Sequence, residues 1–175
     1  MRALIIVDLQ NDFVQPNGAL YFTGAEKVVA PVIDLTQRAI NSSQILITTQ
    51  DWHEPDDEEF LVWPKHCVKN TYGAAIVEPL RELLQNYEKH FPIHKTRYSA
   101  FYGTHLEQLL KDLSIDEVEI CGVVTHICVF FTVEELRNRG IKVTVHEQAT
   151  ASYDLELHKF AIRMMKEVLG AEVVP

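Results

Sequence analysis

The sequence of 175 residues lacks the features that mark several large classes of protein. It has no run of about eighteen apolar residues, so we expect no membrane-spanning helix and no membrane partner. Positive charge is scarce, since 16 Lys and Arg face 25 Asp and Glu, for a formal net charge of −9. Nucleic-acid phosphates bind clusters of Lys and Arg, so this charge balance also predicts that nucleic acid is not a partner.

Cysteine is also rare, with only Cys67, Cys121 and Cys128 in the chain. An odd number at irregular spacing does not form a disulfide framework, and it is typical of a reducing compartment. The first residues, MRALIIVDLQNDF, contain too short an apolar part and become acidic too early for a signal peptide. We therefore expect a cytoplasmic protein.

Short apolar runs alternate with amphipathic stretches along the whole chain. The length fits one domain covering residues 1–175. Apolar runs predict strands at 2–8, 44–51, 89–95, 117–123, 141–147 and 171–174, and helical spacing predicts helices at 28–41, 76–85, 103–114, 131–140 and 155–170. This alternation predicts an α/β fold, a three-layer α/β/α sandwich around a mostly parallel sheet of about six strands.

Polar side chains follow the carboxyl ends of four predicted strands. They are Asp8, Asp51 with His53, Lys95, and the group Thr125, His126 and Cys128. In a parallel sheet all of these ends lie at one edge, where open α/β sheets bind their ligands. We therefore expect these distant residues to meet in one pocket.

Three of these residues form a candidate nucleophilic set. Cys128 opens a predicted helix, where unpaired amides and a nearby lysine lower a thiol pKa. Asp8 would accept the thiol proton and Lys95 would favour the thiolate. The turn GVVTHIC could also direct backbone N–H groups at an oxyanion. Each residue alone has an ordinary alternative role: an inert buried thiol, a loop or capping acid, and a solvated surface charge.

The segment DWHEPDDEEFLVWPKHC contains a candidate metal site. It lies in a loop, residues 52–75, whose length is uncommon unless the loop is functional. Oxygen and nitrogen ligands of this kind suit Zn²⁺, Mn²⁺ or Fe²⁺, and the candidates are Asp51, His53, Glu59 and His66. The other acids of the loop, Asp56, Asp57 and Glu58, are interpreted as a solvated acidic turn.

Five motifs appear in an order that is similar to a known family. They are IIVDLQNDF, DWH, WPKHCV, KTRYSAFYGT and GVVTHICV. The chain resembles the nicotinamidases within the isochorismatase-like cysteine hydrolases. This resemblance implies a catalytic triad of Asp8, Lys95 and Cys128. It also implies one divalent metal ion, with zinc favoured over manganese or iron, on the ligands Asp51, His53, His66 and, at a variable fourth position, Glu59.

The resemblance also implies how a substrate is held. Phe13, Trp63 and Tyr102 match positions that flank a pyridine ring. A non-proline cis peptide bond is expected between Val123 and Val124, with the amides of Val124 and Cys128 facing the oxyanion. Two residues depart from the family pattern: His126 replaces a usual Asp, and Ile127 replaces a residue that is often polar.

Together these features predict hydrolysis of a small pyridine carboxamide, nicotinamide, to nicotinate and ammonia through a cysteine thioester. Three alternatives stay open at this point. They are a metal-independent amidase of the same superfamily acting on a carbamoyl or ureido compound, an isochorismatase, and a catalytically silent paralogue that binds a pyridine ligand. The sequence leaves open whether the chain forms a homo-oligomer.

Overall fold

The computed structural model describes residues 1–175 and contains one six-stranded sheet. Its strands are β1 (Arg2–Val7), β2 (Ile45–Asp51), β3 (His90–Lys95), β4 (Glu117–Val123), β5 (Lys142–Ala151) and β6 (Glu172–Val174). They lie in the order β3-β2-β1-β4-β5-β6, and every neighbouring pair is parallel. The predicted α/β architecture is confirmed, and the carboxyl ends of all six strands meet at one edge.

Helices cover both faces of the sheet. They are α1 (Asn11–Val14), α2 (Val29–Asn41), α3 (Glu78–Leu84), α4 (Leu106–Asp112), α5 (Phe130–Asn138) and α6 (Leu155–Glu167). Successive side chains of a strand point to opposite faces. Thus Ile5 packs in a core with α4, α5 and α6, while Leu4 and Ile6 pack in a second core with α2 and α3. No helix is both long and apolar enough to cross a bilayer.

Two elements differ from the sequence-based prediction next to the expected pocket. A π-helical turn, Thr125–Val129, precedes α5, so Cys128 lies in this turn rather than in the α-helix itself. Strand β5 continues to Ala151 instead of ending near 147, because a register shift after Ile120 pairs Gly122 with Thr150. The extension carries the residues after β5 towards the sheet edge where the candidate site lies.

Gly122 allows β1 and β4 to approach closely just before that edge. Its φ is +113°, a backbone conformation that side-chain-bearing residues rarely adopt. A Cβ at this position would lie 2.0 Å from the carbonyl oxygen of Val7. The contact brings Asp8, which follows β1, next to the turn that follows β4.

Pro92 lies inside the third strand, and the sheet order explains why it is tolerated there. Strand β3 is an edge strand, and Pro92 is exposed within it. A proline in an edge strand loses no ladder hydrogen bond if its nitrogen faces solvent.

Candidate active site

Asp8 lies directly after β1 and is completely buried. Its φ of +49° turns the chain sharply at the end of the strand. Thr49 Oγ1 donates a hydrogen bond of 2.5 Å to Asp8 Oδ1, and the Asp8 amide donates to the Thr49 carbonyl at 3.2 Å. These bonds to β2 fix the carboxylate at the carboxyl edge of the sheet.

Lys95 is the centre of a buried charged cluster. Its side chain is inaccessible to solvent, and its Nζ lies 2.7 Å from Asp8 Oδ2 and 2.5 Å from Asp51 Oδ1. The same Nζ lies 3.4 Å from Cys128 Sγ. Burial lowers the pKa of Lys95, but Asp51 and Asp8 outweigh it and raise the pKa well above its ordinary value. The lysine is therefore a fixed positive charge and not a surface residue.

Cys128 Sγ, Asp8 and Asp51 have ligand atoms that all lie within 4.8 Å of one another. Burial raises the pKa of the Cys128 thiol well above its ordinary value, although Lys95 opposes this shift. Burial therefore outweighs the lowering by Lys95 that the sequence suggested. Burial also raises the pKa of Asp8, again against Lys95. The protonated thiol of Cys128 needs a general base to become a nucleophile. The neighbouring carboxylate of Asp8, with its raised pKa, can act as that base.

Asp51, His53 and His66 place one ligand atom each within 4.8 Å of the others. Asp51 Oδ2 lies 3.9 Å from His53 Nε2 and 3.7 Å from His66 Nε2. All three residues are buried. Gln10 fixes the end of β2 here, because its side-chain amide bonds both the N–H and the C=O of Asp51 at 2.8 Å.

The two imidazoles are oriented by their other nitrogens. His53 Nδ1 bonds Asp57 Oδ2 at 3.0 Å, and His66 Nδ1 donates to the Pro64 carbonyl at 2.7 Å. Each ring therefore carries its proton on Nδ1 and directs the lone pair of Nε2 towards Asp51. His53 Nε2 is buried without a hydrogen-bond partner. An oriented, unpaired imidazole nitrogen beside a carboxylate is the arrangement of a divalent metal site.

Glu59 lines the same cavity and offers a further carboxylate oxygen. Its side chain is 7% exposed, and its Oε2 is buried without a hydrogen-bond donor. Burial and the negative charge of Asp51 raise the pKa of Glu59. This oxygen accepts no hydrogen bond, and Arg97 Nη1 lies 3.6 Å from it, so it can still bind a cation. Asp51, His53 and His66 thus form a group suited to a divalent metal ion, and Glu59 as a fourth ligand stays a prediction.

Asp57 was interpreted from the sequence as part of a solvated acidic turn, and that interpretation was wrong. Its side chain is only 10% exposed. Besides orienting His53, it accepts a bond from Arg97 Nη1 at 3.0 Å and caps the short helical turn Glu58–Leu61 through the Glu59 amide. Residues 53–57 are not helical, so the spacing of His53 and Asp57 gave no sequence signal for this role.

A cavity of about 60 Å³ is lined by Cys128 and Asp51 of the charged cluster and by the candidate metal ligands Glu59 and His66. Aromatic and aliphatic side chains form most of its wall, and the complete lining is Phe13, Leu20, Asp51, Glu59, Trp63, His66, Tyr98, Val124, Ile127, Cys128 and Tyr153. The predicted ring-binding residues Phe13 and Trp63 are both present. This mostly apolar lining with a few polar groups suits a small, flat ligand.

Tyr102, the third predicted ring-binding residue, does not line this cavity. It is 63% exposed and borders a separate surface depression with Arg97. Tyr98 lies in the cavity instead, where its hydroxyl accepts a 3.1 Å hydrogen bond from Trp63 Nε1. The two tyrosines are four residues apart in the irregular segment after β3, where the sequence has no periodicity that would tell them apart.

The turn after β4 has the backbone feature that the resemblance implied. The Val123–Val124 peptide bond is cis. The Val124 carbonyl accepts bonds from the amides of Ile127 and Val129, at 3.0 and 3.3 Å. Val124 and Cys128 both line the cavity, and the use of their amides as an oxyanion hole stays a prediction.

His126, which replaces the usual Asp of this turn, contacts the segment after β5. Its Nδ1 lies 2.8 Å from Ser152 Oγ and its Nε2 lies 3.1 Å from the Tyr153 hydroxyl. Tyr153 lines the cavity, although nothing in the sequence pattern singled it out.

Comparison with known families agrees with this geometry. A model described as the isochorismatase domain matches residues 2–174. The chain belongs to the isochorismatase family. Within this family it is 32% identical to the nicotinamidase of Saccharomyces cerevisiae, over 83% of this chain and 85% of that one.

Solved structures are also similar to the chain. Nicotinamidase/pyrazinamidase PncA of Bacillus subtilis has a TM-score of 0.95 and 34% identity, with 99% of both chains covered. The pyrazinamidase of Pyrococcus horikoshii in complex with zinc has a TM-score of 0.89 and 31% identity, over 99% of this chain and 98% of that one.

Proposed function

We propose that this protein is a nicotinamidase, which hydrolyses nicotinamide to nicotinate and ammonia. The observation that supports it most is one cavity that is lined by Cys128, by candidate metal ligands and by the aromatic rings of Phe13 and Trp63. The similar enzymes named as nicotinamidases support the choice of substrate. Pyrazinamide, another small heteroaromatic amide, is the second substrate that we expect.

Substrate binding follows from the shape and chemistry of the cavity. Phe13 and Trp63 would hold the flat ring and exclude water around it. Trp63 is itself held by its bond to Tyr98. The carboxamide carbon would then lie over Cys128 Sγ, because the sulfur lines the same cavity. Removal of water strengthens the electrostatic interactions inside such a site.

Asp51, His53, His66 and Glu59 would hold one divalent metal ion, for which we propose zinc. Their donor set of two imidazole nitrogens and carboxylate oxygens is common at zinc sites. When bound, the ion would fix the pyridine nitrogen, directly or through water, and so orient the ring. Asp51 is a permanent anion here: burial raises its pKa, but the positive charge of Lys95 outweighs burial and holds the pKa below the ordinary range.

The chain's own residues account for the bond changes. Asp8 accepts the proton of the Cys128 thiol, and the sulfur forms a bond to the amide carbon. Asp8 then returns this proton to the leaving nitrogen, which departs as ammonia and leaves a thioester. Water, deprotonated by Asp8, attacks the thioester and releases nicotinate and the thiol. Lys95 stays protonated throughout and stabilises whichever neighbour is negative.

The amides of Val124 and Cys128 are proposed to stabilise the oxyanion in both tetrahedral intermediates. Loss of one such donor typically costs about 3 kcal/mol of transition-state stabilisation.

Release of ammonia from nicotinamide tests this function directly. Wild-type protein should release it, and Cys128→Ala should not, although it should still bind nicotinamide. Cys121→Ala is a matched control, because Cys121 is buried within β4 and lies outside the cavity. Retained turnover in Cys128→Ala would exclude the thioester route. Absence of turnover in folded, metal-loaded wild-type protein would favour the catalytically silent paralogue.

Metal removal separates the two amidase alternatives. Dialysis against a chelator should abolish turnover of nicotinamide, and added Zn²⁺ should restore it. Full activity in protein shown by elemental analysis to be metal-free would favour the metal-independent amidase, and carbamoyl compounds would then be the substrates to assay.

Two broader predictions belong to the same proposal. Residues 1–175 act as one hydrolase domain, and the protein acts in the cytoplasm. Cell fractionation with an antibody to the protein would check the location.

A further inference from the structure

Tyr153 lies at an unusual position in the wall of the cavity. It follows β5 and precedes Asp154, whose side chain caps α6 by accepting bonds from the Glu156 and Leu157 amides at 2.8 and 2.9 Å. A strand end and a capped helix therefore hold its backbone on both sides. Tyr153 nevertheless lines the cavity beside Ile127 and Cys128 and is 51% exposed. A half-exposed residue in a cavity wall lies where the cavity meets the surface.

Two rings hold the side chain of Tyr153 in place. The His126 ring packs edge-on against it with centroids 4.9 Å apart, and Phe22 packs on it at 6.2 Å. The hydroxyl bonds His126 Nε2 at 3.1 Å. His126 belongs to the same π-helical turn as Cys128, so the position of this wall is linked to the position of the nucleophile.

The hydrogen bonds that link Ser152, His126 and Tyr153 fix which atom is the donor in each. Ser152 Oγ donates to the Asp154 carbonyl at 2.9 Å, so it accepts from His126 Nδ1. The ring proton of His126 is then on Nδ1, and Nε2 accepts the hydroxyl proton of Tyr153. Burial lowers the pKa of His126, which agrees with this neutral form. Because the Tyr153 hydroxyl donates to His126 Nε2, this hydrogen bond holds the tyrosine ring in one orientation.

We propose that Tyr153, positioned by His126, determines substrate specificity by limiting which substituents on the ring of the substrate the cavity accepts. This inference rests on the proposed function, since it concerns a pyridine carboxamide in the same cavity. Neither residue takes part in the proton transfers or in metal binding. Tyr153 would act by steric exclusion, and His126 would act only through Tyr153.

The test compares nicotinamide with its four ring-methylated forms, the 2-, 4-, 5- and 6-methylnicotinamides. The readout is the ratio of kcat/KM for each methylated amide to kcat/KM for nicotinamide. Exclusion of one methyl group from a pocket changes such a ratio about 10-fold or more. Tyr153→Ala should therefore raise at least one ratio about 10-fold, and His126→Ala should raise the same ratio by less.

Two variants separate specificity from a general loss of structure. Tyr153→Phe keeps the ring and its packing but loses the hydrogen bond to His126, so it should raise the same ratio by no more than His126→Ala does. Tyr72→Ala removes a tyrosine that is 72% exposed and outside the cavity, so it should change no ratio. Thermal unfolding of each variant checks that it is folded.

All four ratios remaining within about twofold of wild type in folded Tyr153→Ala would overturn the inference. Ratios of Kd for the same amides can be measured in the Cys128→Ala background, where no turnover is needed. They test the effect of Tyr153 on binding separately from the reaction. If Tyr153→Ala changes the Kd ratios while the wild-type protein releases no ammonia from nicotinamide, the result contradicts the proposed function and supports the inference. Failure of nicotinamide and all methylated forms to bind would contradict the inference as well.

Discussion

Replacement of Asp57 by alanine should weaken metal binding, although Asp57 is not a proposed ligand. The Asp57 carboxylate orients His53 through a 3.0 Å bond to Nδ1 and so directs Nε2 towards Asp51. Loss of such a partner of a ligating histidine typically weakens metal binding 10- to 100-fold, or about 1.4–2.7 kcal/mol.

Arg97 moves the expected loss towards the upper end of this range. Its Nη1 bonds Asp57 at 3.0 Å and lies 3.6 Å from Glu59 Oε2. Without Asp57, the guanidinium is free to pair with Glu59, and it then competes with the metal for that oxygen. The same substitution also removes the cap on the Glu59 amide, which loosens the segment that holds this fourth ligand.

The assay is a competition titration of Zn²⁺ between the protein and a chromophoric chelator. Asp56→Ala is the matched control, because it removes an exposed acid from the same turn and changes the net charge equally. It should leave the affinity within about twofold of wild type, since a distant exposed charge is screened by salt. Equal affinities for Asp57→Ala and Asp56→Ala would refute the proposed orientation of His53.

Three further predictions concern the charged cluster, the sheet and the cavity. Lys95→Met leaves two buried carboxylates without their cation, so it should lower the free energy of unfolding in urea by about 3–5 kcal/mol. Adding Asp8→Asn to Lys95→Met should recover part of that loss, and no recovery would contradict the pairing. Gly122→Ala should destabilise the protein by about 2 kcal/mol or more, measured in the same way, because its Cβ would overlap the neighbouring strand. Trp63→Leu should raise KM for nicotinamide by up to about 10-fold with little change in kcat, since aromatic contacts contribute about 0.5–1.5 kcal/mol to ring binding; an unchanged KM would exclude Trp63 from the ring site.

The sequence predicted the sheet and the meeting of distant residues because both follow from strand direction. Asp51 and Lys95, for example, end neighbouring parallel strands and are paired in register. Periodicity and residue type were enough to find them, whereas the buried contact of Lys95 with two acids could not be read from its own neighbours in the sequence.

Residues in irregular segments were harder to predict. Asp57 looked like a solvated acid because its neighbours are acidic, and only the short helical turn after it brings it under His53. Tyr98 and Tyr102 differ only in how the chain turns after β3. Tyr153 enters the cavity wall because β5 extends past its predicted end, through a register shift that no local pattern in β5 indicates.

The proline in β3 has a consequence for handling the protein at high concentration. An edge strand presents a row of unpaired amides and carbonyls on which another chain can add a strand, and this is a route to aggregation. Pro92 interrupts the row of donors midway along β3, and His94, two residues later, is an exposed polar residue of the same strand. Association of folded chains through this strand is thereby disfavoured, so Pro92→Val should leave the active-site residues in place and yet promote strand-to-strand self-association.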